Sequence, residues 1–310
     1  MQDGAIMDVL RTPDDRFADL PDYPFEPHYT EIADGDGGAV RVHYLDEGPP
    51  DAAPILLLHG EPSWSFLYRH MIPPLVAAGH RVVVPDQVGF GRSDKPTEMS
   101  DYTFARHVEW MSALVFDHLD LRNCTFFGQD WGGLIGLRLV AAQPGRFDRF
   151  VVSNTGLPTG DQPPSEAFLQ WQQFSQSVAA LPVGQLLNRA TVTELSPEVI
   201  AAYDAPFPDP SFQAGARIWP SLVPTSPDDP EAPANRAAWD VLRAFDKPVL
   251  CAFSDQDPVT KGGDKPFREL VPGAQGQNHT TVQGGGHFVQ EDCGPELARL
   301  IDEFIRSTRS

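Results

Sequence analysis

The sequence predicts an α/β protein in which helices flank a mostly parallel β-sheet and a helical cap is inserted between two strands. Short apolar runs alternate with helical patterns over most of the 310 residues. A proline-dense segment without a clear strand breaks this alternation. The hydrophobic fraction of 41%, with 19 Phe, is ample for a large core and excludes a disordered or fibrous chain.

Seven short segments have the composition of β-strands. The first, Val40 to Leu45, alternates polar and apolar residues, so we predict an edge strand. Residues 54–60, 80–86 and 123–130 contain brief apolar runs that end in Gly or Asp, as strands buried on both faces do. The other strand candidates are residues 149–154, 248–255 and 279–283.

Helical patterns lie between these segments. The predicted helices are Ser65 to Ala78, Phe104 to Leu119, Gly132 to Ala142 and a closing helix from Pro295 to Ser307. Because strands and helices alternate along the chain, the strands are expected to run parallel, with helices on both faces of the sheet.

The segment from Gly156 to Ala234 interrupts this alternation. It is dense in proline, has only short helical patterns and is too long for a structureless loop in a compact domain. It also carries large aromatic residues such as Trp171 and Trp219, which a surface excursion without function would not need. We therefore predict a helical cap at residues 156–234, inserted into an α/β core formed by residues 1–155 and 235–310.

The charge of the chain excludes several partners. Lys and Arg number 23 against 43 Asp and Glu, which gives a formal net charge of −20. Such a chain repels phosphate backbones and anionic lipid surfaces, so neither nucleic acid nor a membrane is an expected partner. No run approaches the roughly 18 apolar residues of a membrane span.

The cysteines and the first residues bear on the compartment. Cys124, Cys251 and Cys293 are scattered without a CxxC spacing, which argues against disulfides and a zinc site and favours a reducing compartment. Residues 1–15 have neither a basic segment nor an apolar run, so no signal peptide is predicted. We expect a monomeric cytoplasmic protein.

The strongest chemical signal is the segment GQDWGG at residues 128–133, which follows a predicted strand and opens a predicted helix. This is the spacing of a nucleophile elbow, a sharp strand-to-helix turn whose glycines leave room for close backbone contacts. The helix dipole favours an anion here, so Asp130 is a candidate nucleophile. The alternative is an ordinary helix N-cap, for which Asp is common.

His287 and an aspartate complete a possible triad. His287 lies in a glycine-rich loop after the last predicted strand, where a nucleophile–acid–histidine order has its base. Asp255 and Asp257 follow the preceding strand, and we favour Asp257 as the residue that orients the imidazole because it lies farther along the loop. Each of these residues could instead be an ordinary loop residue.

A second turn, HGEPSW at residues 59–64, follows the first buried strand. The N–H of Glu61 is expected to point at the elbow and to form an oxyanion hole with the N–H of Trp131. His59 is expected to make a structural hydrogen bond. The histidines show no metal-binding spacing, and residues 89–93 lack the features of a phosphate loop, so we predict neither a metal nor a cofactor.

These segments resemble the haloalkane dehalogenases, a family of α/β-hydrolases, and in particular the subfamily that acts on short haloalkanes. The resemblance extends over nearly the whole chain and is close at HGEPSW, GFGRSDKP, QDWGG and APFPDPSFQAG. It implies an α/β-hydrolase fold with a triad formed by Asp130, Asp257 and His287. A sister subfamily has its acid after the sixth strand and an Asn after the His-Gly pair, whereas this chain has Asn154 and Glu61 there.

The resemblance also implies a reaction. The Asp130 carboxylate would displace halide from carbon, and water activated by His287 would hydrolyse the resulting ester. The expected partners are a small apolar halogenated substrate, a halide ion and water. Trp131 and Trp171 are the expected halide donors, because indole N–H groups suit a weakly basic anion, with Trp219 as the reserve candidate. The expected apolar lining of the substrate chamber is Phe168, Phe174 and Phe207.

Two alternatives stay open at this point. An epoxide hydrolase shares the fold and the Asp-Trp pair, but it uses cap tyrosines to protonate the oxirane oxygen, and only Tyr203 lies in the predicted cap. The other alternative is a non-catalytic binding protein of the same fold. The presence of all three triad residues argues against that alternative.

Overall fold

A computed structural model describes residues 7–309 of the chain. Its centre is a sheet of eight strands. In chain order they are β1 His28–Ala33, β2 Ala39–Glu47, β3 Pro54–Leu58, β4 Arg81–Pro85, β5 Cys124–Gln129, β6 Phe147–Ser153, β7 Val249–Ser254 and β8 Thr280–Val282. In space they follow the order β8-β7-β6-β5-β3-β4-β2-β1. Strands β3 to β8 run parallel, and β2 is antiparallel to both of its neighbours.

The helices form two groups. In chain order they are α1 Ile72–Ala77, α2 Phe104–Ser112, α3 Trp131–Ala142, α4 Glu166–Ser177, α5 Val183–Ala190, α6 Pro197–Asp204, α7 Ala214–Ile218, α8 Ala232–Leu242, α9 Asp264–Leu270 and α10 Val289–Ser307. Helix α1 contacts α10, and α3 contacts α2 and α8. Because α1 and α3 join strands that progress in opposite directions across the sheet, right-handed crossovers put them on opposite faces. The predicted α/β fold is therefore confirmed.

The edge of the sheet differs from the prediction. The predicted edge strand falls within β2, which pairs with β1 on one side and with β4 on the other. The edge strand is β1, which the sequence did not reveal. Only Ile32 of its residues is buried, so the alternation that identifies a half-buried strand is weak there. A separate two-stranded ladder pairs Val9–Leu10 with Lys95–Pro96.

Three predicted helices have different bounds. The first breaks into a 3-10 turn at Ser65–Tyr68 and helix α1, whose two prolines suit the first turn of a new helix. The second continues past α2 as a wider π-helical segment, Ala113–His118. The last begins at Val289, with a kink at Cys293. Helices α8 and α9 were not predicted. Among residues 7–309 no helix is long and apolar enough to cross a lipid bilayer.

Between β6 and α8 the described chain forms helices α4 to α7 and short 3-10 turns, without a strand. Ser165 and Ser196 begin helices α4 and α6, each accepting a hydrogen bond from a backbone N–H three residues later. The buried indole of Trp64, in the core, donates to the Ala202 carbonyl oxygen at 3.2 Å and holds α6 to the core.

The parallel strands bring five polar residues to one edge of the sheet. Each follows the carboxyl end of a strand, and the strand order reverses direction between β3 and β5, where such sheets form a crevice. The five residues, in the order of strands β3, β5, β6, β7 and β8, are Glu61, Asp130, Asn154, Asp257 and His287.

Candidate active site

Asp130 lies on the sharp turn between β5 and α3. Its φ of +52° is one that non-glycine residues seldom adopt. The neighbouring glycines make the turn possible. A Cβ on Gly132 would lie 1.8 Å from the Leu58 carbonyl oxygen, and one on Gly60 would lie 2.5 Å from the Cβ of Asp130. The Asp130 side chain makes no capping hydrogen bond to α3, which argues against the N-cap alternative.

The sheet brings His287 and Asp257 to Asp130. Nε2 of His287 lies 3.5 Å from Oδ2 of Asp130, and Nδ1 of the same ring lies 3.1 Å from Oδ2 of Asp257. The competing acid, Asp255, instead accepts a hydrogen bond from the Gly284 N–H at 2.9 Å. The imidazole therefore lies between two carboxylates, in the arrangement of a nucleophile, a base and an orienting acid.

The charges of these groups depend on one another. Burial opposes ionisation of Asp257, but the His287 imidazolium and hydrogen bonds from the Thr260 hydroxyl and the Val259 N–H lower its pKa to about 2. Burial also opposes protonation of His287, but Asp257 and Asp130 outweigh it and raise the pKa of His287 to about 10. Asp257 and His287 therefore form a carboxylate–imidazolium pair in the free protein at neutral pH.

Two amides hold the loop that carries His287. Nδ2 of Asn154 donates to the carbonyl oxygens of Gly286 and His287 at 2.9 and 3.0 Å, and Oδ1 accepts from the Ser254 N–H at 2.9 Å. Nε2 of Gln129 donates to the His287 carbonyl oxygen at 3.0 Å. Sequence reasoning missed both as positioning residues. Their place at the carboxyl ends of adjacent buried strands is a signal that could have found them.

The predicted oxyanion-hole residues flank Asp130. The Glu61 N–H donates to Oδ1 of Asp130 at 2.8 Å. The Trp131 N–H is the first of α3 and has no partner within the helix. Among the described residues only the first of these two N–H groups bonds the Asp130 carboxylate in the free protein.

His59 has the structural role that its position predicted. It is completely buried, and its Nδ1 lies 3.0 Å from the Gly60 carbonyl oxygen. Its Nε2 accepts from the Gln87 N–H at 3.0 Å. Because Nε2 is an acceptor, the proton is on Nδ1 and the ring is neutral, in agreement with the effect of burial, which lowers the pKa of His59.

One open cavity of about 1200 Å³ reaches Asp130. Trp131, His287 and Glu61 lie on its wall, together with Trp171 from α4. Apolar side chains from several helices and loops form much of the remaining lining. They include Leu134, Leu157, Phe168, Leu186, Val223 and Phe267. Charged residues, among them Arg189, Arg236 and Lys261, also lie on the wall, but most of the lining is apolar, which suits an apolar ligand.

The two candidate cap indoles have different surroundings. Trp171 lines the cavity, whereas Trp219 is completely buried and does not. Trp219 stacks on Trp131 with ring centroids 4.7 Å apart and donates its Nε1–H to Nε2 of His107 at 2.5 Å. Burial lowers the pKa of His107 to about 3, so His107 stays a neutral acceptor. Only Trp171 of the two has its indole at the cavity.

Of the three phenylalanines predicted to line the chamber, only Phe168 does so. Phe174 stacks beside Trp171, with ring centroids 6.1 Å apart, and Phe207 packs edge-on against Phe90. The prediction is therefore wrong for Phe174 and Phe207. Residues 168 and 174 of α4 are about 120° apart around the helix axis, so both cannot face the same cavity.

Within residues 7–309 no group of three or more His, Cys, Asp or Glu side chains could hold a metal ion.

Residues 53–292 match a family described by the alpha/beta hydrolase fold. The chain is 58% identical over 299 residues to a haloalkane dehalogenase of Psychrobacter cryohalolentis, covering 96% of this chain and 98% of that protein. It is 52% identical over 295 residues to a haloalkane dehalogenase of Mycolicibacterium paratuberculosis, with coverage of 95% and 97%.

Solved structures agree with these relatives. The haloalkane dehalogenase DpaA from Paraglaciecola agarilytica NO2 superimposes with a TM-score of 0.84 at 35% identity, over 95% of this chain and 97% of that one. The chain thus shares its fold with a haloalkane dehalogenase of known structure. It also shares more than half of its residues, over nearly its whole length, with two haloalkane dehalogenases. The chain belongs to the haloalkane dehalogenases, the α/β-hydrolases that act on carbon–halide bonds.

Proposed function

We propose that this chain hydrolyses small haloalkanes to an alcohol and a halide ion through an alkyl ester on Asp130. The observation that carries the proposal is the position of the Asp130 carboxylate. It lies on the wall of a largely apolar cavity, with Nε2 of His287 3.5 Å away and two indole side chains on the same wall. A carboxylate can attack carbon without a general base, whereas a serine at this position would need one.

In the first step, Oδ2 of Asp130 attacks the halogen-bearing carbon. A C–O bond forms while the carbon–halogen bond breaks, and the halogen leaves with the bonding electron pair. Trp131 and Trp171 donate their indole N–H groups to the departing halide in the cavity. Oδ1 stays on the Glu61 N–H and becomes the carbonyl oxygen of the ester.

In the second step, water attacks the ester carbonyl carbon while His287 takes its proton. Negative charge develops on Oδ1, where the N–H groups of Glu61 and Trp131 stabilise it. The intermediate then expels the alcohol, which takes a proton from His287 and leaves Asp130 as a carboxylic acid. Loss of that acid's proton to solvent restores the Asp130 carboxylate. Asp257 stabilises the transient imidazolium throughout. Haloalkane and water are thereby converted to alcohol, halide and a proton.

Ester formation also prepares the base. In the free protein the Asp130 carboxylate contributes to the raised pKa of His287, and that charge disappears when the ester forms. The pKa of His287 then falls, and the neutral imidazole that the second step needs becomes more populated. The two steps are therefore coupled through the 3.5 Å contact between His287 and Asp130.

Several finer assignments belong to the same proposal. We assign residues 156–234 to the cap and residues 1–155 and 235–310 to the core, because α4 and α5 of that segment contribute Trp171 and Ala190 to the cavity wall. All three cysteines are free, which supports a reducing, cytoplasmic location. We expect a monomer, although DpaA is described as tetrameric, and light scattering in solution decides between the two states.

The residues that line the cavity do not suit the reaction of an epoxide hydrolase. Tyr203 is buried, and its hydroxyl donates to Oε2 of Glu291 at 2.5 Å, outside the set of residues that line the cavity. It is therefore committed to a contact between α6 and α10. No tyrosine is among the residues that line the cavity, so an oxirane oxygen would have no phenol to protonate it.

Bromide release tests the proposal. Purified protein incubated with 1-bromobutane or 1,2-dibromoethane should release bromide and one alcohol group for each bromide. Asp130→Asn, which keeps the size of the side chain, should release none. Turnover of styrene oxide without release of bromide from either bromoalkane would favour the epoxide hydrolase instead.

A further inference from the structure

The reaction above uses the backbone of Glu61 but not its side chain. The residue is 4% exposed, it lies on the cavity wall, and Oε1 of its carboxyl group has no hydrogen-bond partner among the described residues. Buried polar atoms nearly always have a partner in proteins. Glu61 therefore brings a carboxyl group with unused hydrogen-bonding capacity to the edge of the binding cavity.

The surroundings of Glu61 favour the neutral acid. Burial and the nearby Asp130 carboxylate raise the pKa of Glu61 well above its usual value, while His287 and the Trp171 N–H act in the opposite direction. No Lys or Arg is among the groups that act on it. A neutral carboxylic acid carries one O–H donor, and enzymes use such neutral acids to donate hydrogen bonds in apolar sites.

The neighbouring indole indicates what the ligand is. Trp171 and Glu61 line the same cavity, and the Trp171 N–H acts on the Glu61 carboxyl group. The proposed function gives the same N–H to the departing halide. A halide on Trp171 therefore lies beside Glu61. An ionised carboxylate in that place would repel the halide, whereas a carboxylic acid would offer it a third donor.

We propose that Glu61, as the neutral acid, donates its O–H to the halide and is a halide ligand together with Trp131 and Trp171. The inference rests on the proposed function, because it takes the halide site from it. The proton stays on Glu61, so no bond is made or broken and no further reactant is needed. By linkage, halide binding favours the protonated form of Glu61, and ionisation of Glu61 weakens halide binding by the same factor.

The other titratable groups around Glu61 are few. Asp130 approaches it from the turn after β5 and His287 from the loop after β8, while α4 contributes the uncharged Trp171. Both titratable groups are retained when Glu61 is replaced by its amide. A comparison of the acid with the amide therefore separates the titration of Glu61 from that of its neighbours.

The experiment is a bromide titration followed by tryptophan fluorescence between about pH 5 and pH 10, where carboxylic acids with raised pKa values and histidines titrate. The wild type should bind bromide more weakly as the pH rises. Glu61→Gln keeps a donor that cannot ionise, so it should bind bromide nearly as well as the wild type at low pH and lose most of the pH dependence. Glu61→Leu should bind bromide roughly 2- to 10-fold more weakly at low pH. Glu109→Gln, an exposed site on α2, is the matched control and should follow the wild type.

A second measurement does not depend on the leucine variant being folded. The infrared spectrum of the wild type should contain a carbonyl band of a protonated carboxylic acid that Glu61→Gln lacks, and added bromide should shift that band. Equal pH dependence in the wild type and Glu61→Gln, or a band that bromide leaves unchanged, would refute the proposal. These measurements need no turnover. Failure to release bromide from 1-bromobutane would therefore contradict the proposed function and would leave the test of Glu61 as a halide ligand unaffected.

Discussion

Nε2 of His287 lies 3.5 Å from Oδ2 of Asp130, close enough for the Asp130 carboxylate to help raise the pKa of His287. With Asp257 on the other side of the ring, the carboxylates outweigh the effect of burial and raise the pKa of His287 to about 10. A base with that pKa is protonated at neutral pH and cannot accept a proton from water. In the proposed reaction the free protein attacks carbon in this state, and ester formation then lowers the pKa of His287 before hydrolysis.

Asp130→Asn should lower the pKa of His287, because it removes one of the two charges that raise it. An opposite charge at this distance typically contributes about 1 to 3 pH units, so the midpoint should fall well below 10. Titration of the imidazole by NMR measures it. Asp255→Asn, in the same loop as Asp257 but without contact to the ring, should leave the midpoint unchanged.

The same pKa determines how stability depends on pH. Folding raises the pKa of His287, so its contribution is complete below about pH 6.5 and is lost as the pH rises through about 10. Asp130→Asn should make the free energy of unfolding of the protein less dependent on pH in this interval. Urea unfolding at pH 7 and pH 9.5 measures this free energy. If the carboxylate had no such effect, the unfolding free energy would change by the same amount between the two pH values in both proteins.

His287→Phe should stop the reaction at the ester. Asp130 would still attack the substrate, but no base would activate water, so one bromide should be released per protein molecule and no more. Mass spectrometry should find one added alkyl group on the peptide that contains Asp130. The double variant Asp130→Asn/His287→Phe should gain no alkyl group. An alkyl group on another residue would contradict the assignment of the nucleophile.

Trp171→Phe and Trp219→Phe should have different effects, since Trp171 lines the cavity whereas the buried Trp219 donates to His107. Loss of the Trp171 N–H at the cavity should weaken bromide binding roughly 10-fold or more, as expected for a hydrogen bond to an ion. Trp219→Phe removes the bond to His107 and should instead lower the free energy of unfolding by about 1–3 kcal/mol. Bromide titration and urea unfolding of both variants check this. If Trp219→Phe weakened bromide binding and Trp171→Phe only lowered the free energy of unfolding, the halide site would have to be assigned to Trp219.

Asn154→Leu should loosen the loop that carries His287. The replacement leaves the Ser254 N–H without a partner and removes one of the two hydrogen bonds that each of the Gly286 and His287 carbonyl oxygens accepts, which should cost roughly 2–4 kcal/mol of unfolding free energy. Urea unfolding measures the loss, and the exposed Asn278→Leu is the control, with little expected change. Unfolding curves that coincide with the wild type would mean that Asn154 does not hold the loop.

The sequence predicted the buried strands and the residues at their ends well, because both signals are local. Strands such as β3 and β5 are apolar on both faces, and the loops after them carry the glycines that close backbone approaches require. Since parallel strands end at one edge of a sheet, Asp130, Asp257 and His287 could be expected together before any distance was known.

Features that depend on tertiary contacts could not be predicted in this way. The strand β1 is mostly polar and is recognisable only through its pairing with β2. Periodicity does not tell which face of α4 meets the cavity, so Phe168 could not be separated from Phe174. Likewise, the bond from Trp219 to His107, a residue distant in the sequence, could not be predicted.

Gly132→Ala should prevent correct folding of the elbow. The added methyl group would lie 1.8 Å from the Leu58 carbonyl oxygen and 2.8 Å from that of His59, and both atoms belong to the backbone of the adjacent strand and its turn. Side chains can rotate away from a clash, but this backbone is held by the sheet, so either β3 or α3 would have to move. Movement of α3 would carry Asp130 away from His287. We therefore expect a loss of several kcal/mol in unfolding free energy, on the order of other overpacked core sites, and no bromide release.

Gly145→Ala is the matched control, since a Cβ there meets no atom within 4 Å and the protein should unfold at nearly the same urea concentration as the wild type. A stable, active Gly132→Ala protein would mean that the close contact between α3 and β3 is not needed to form the turn.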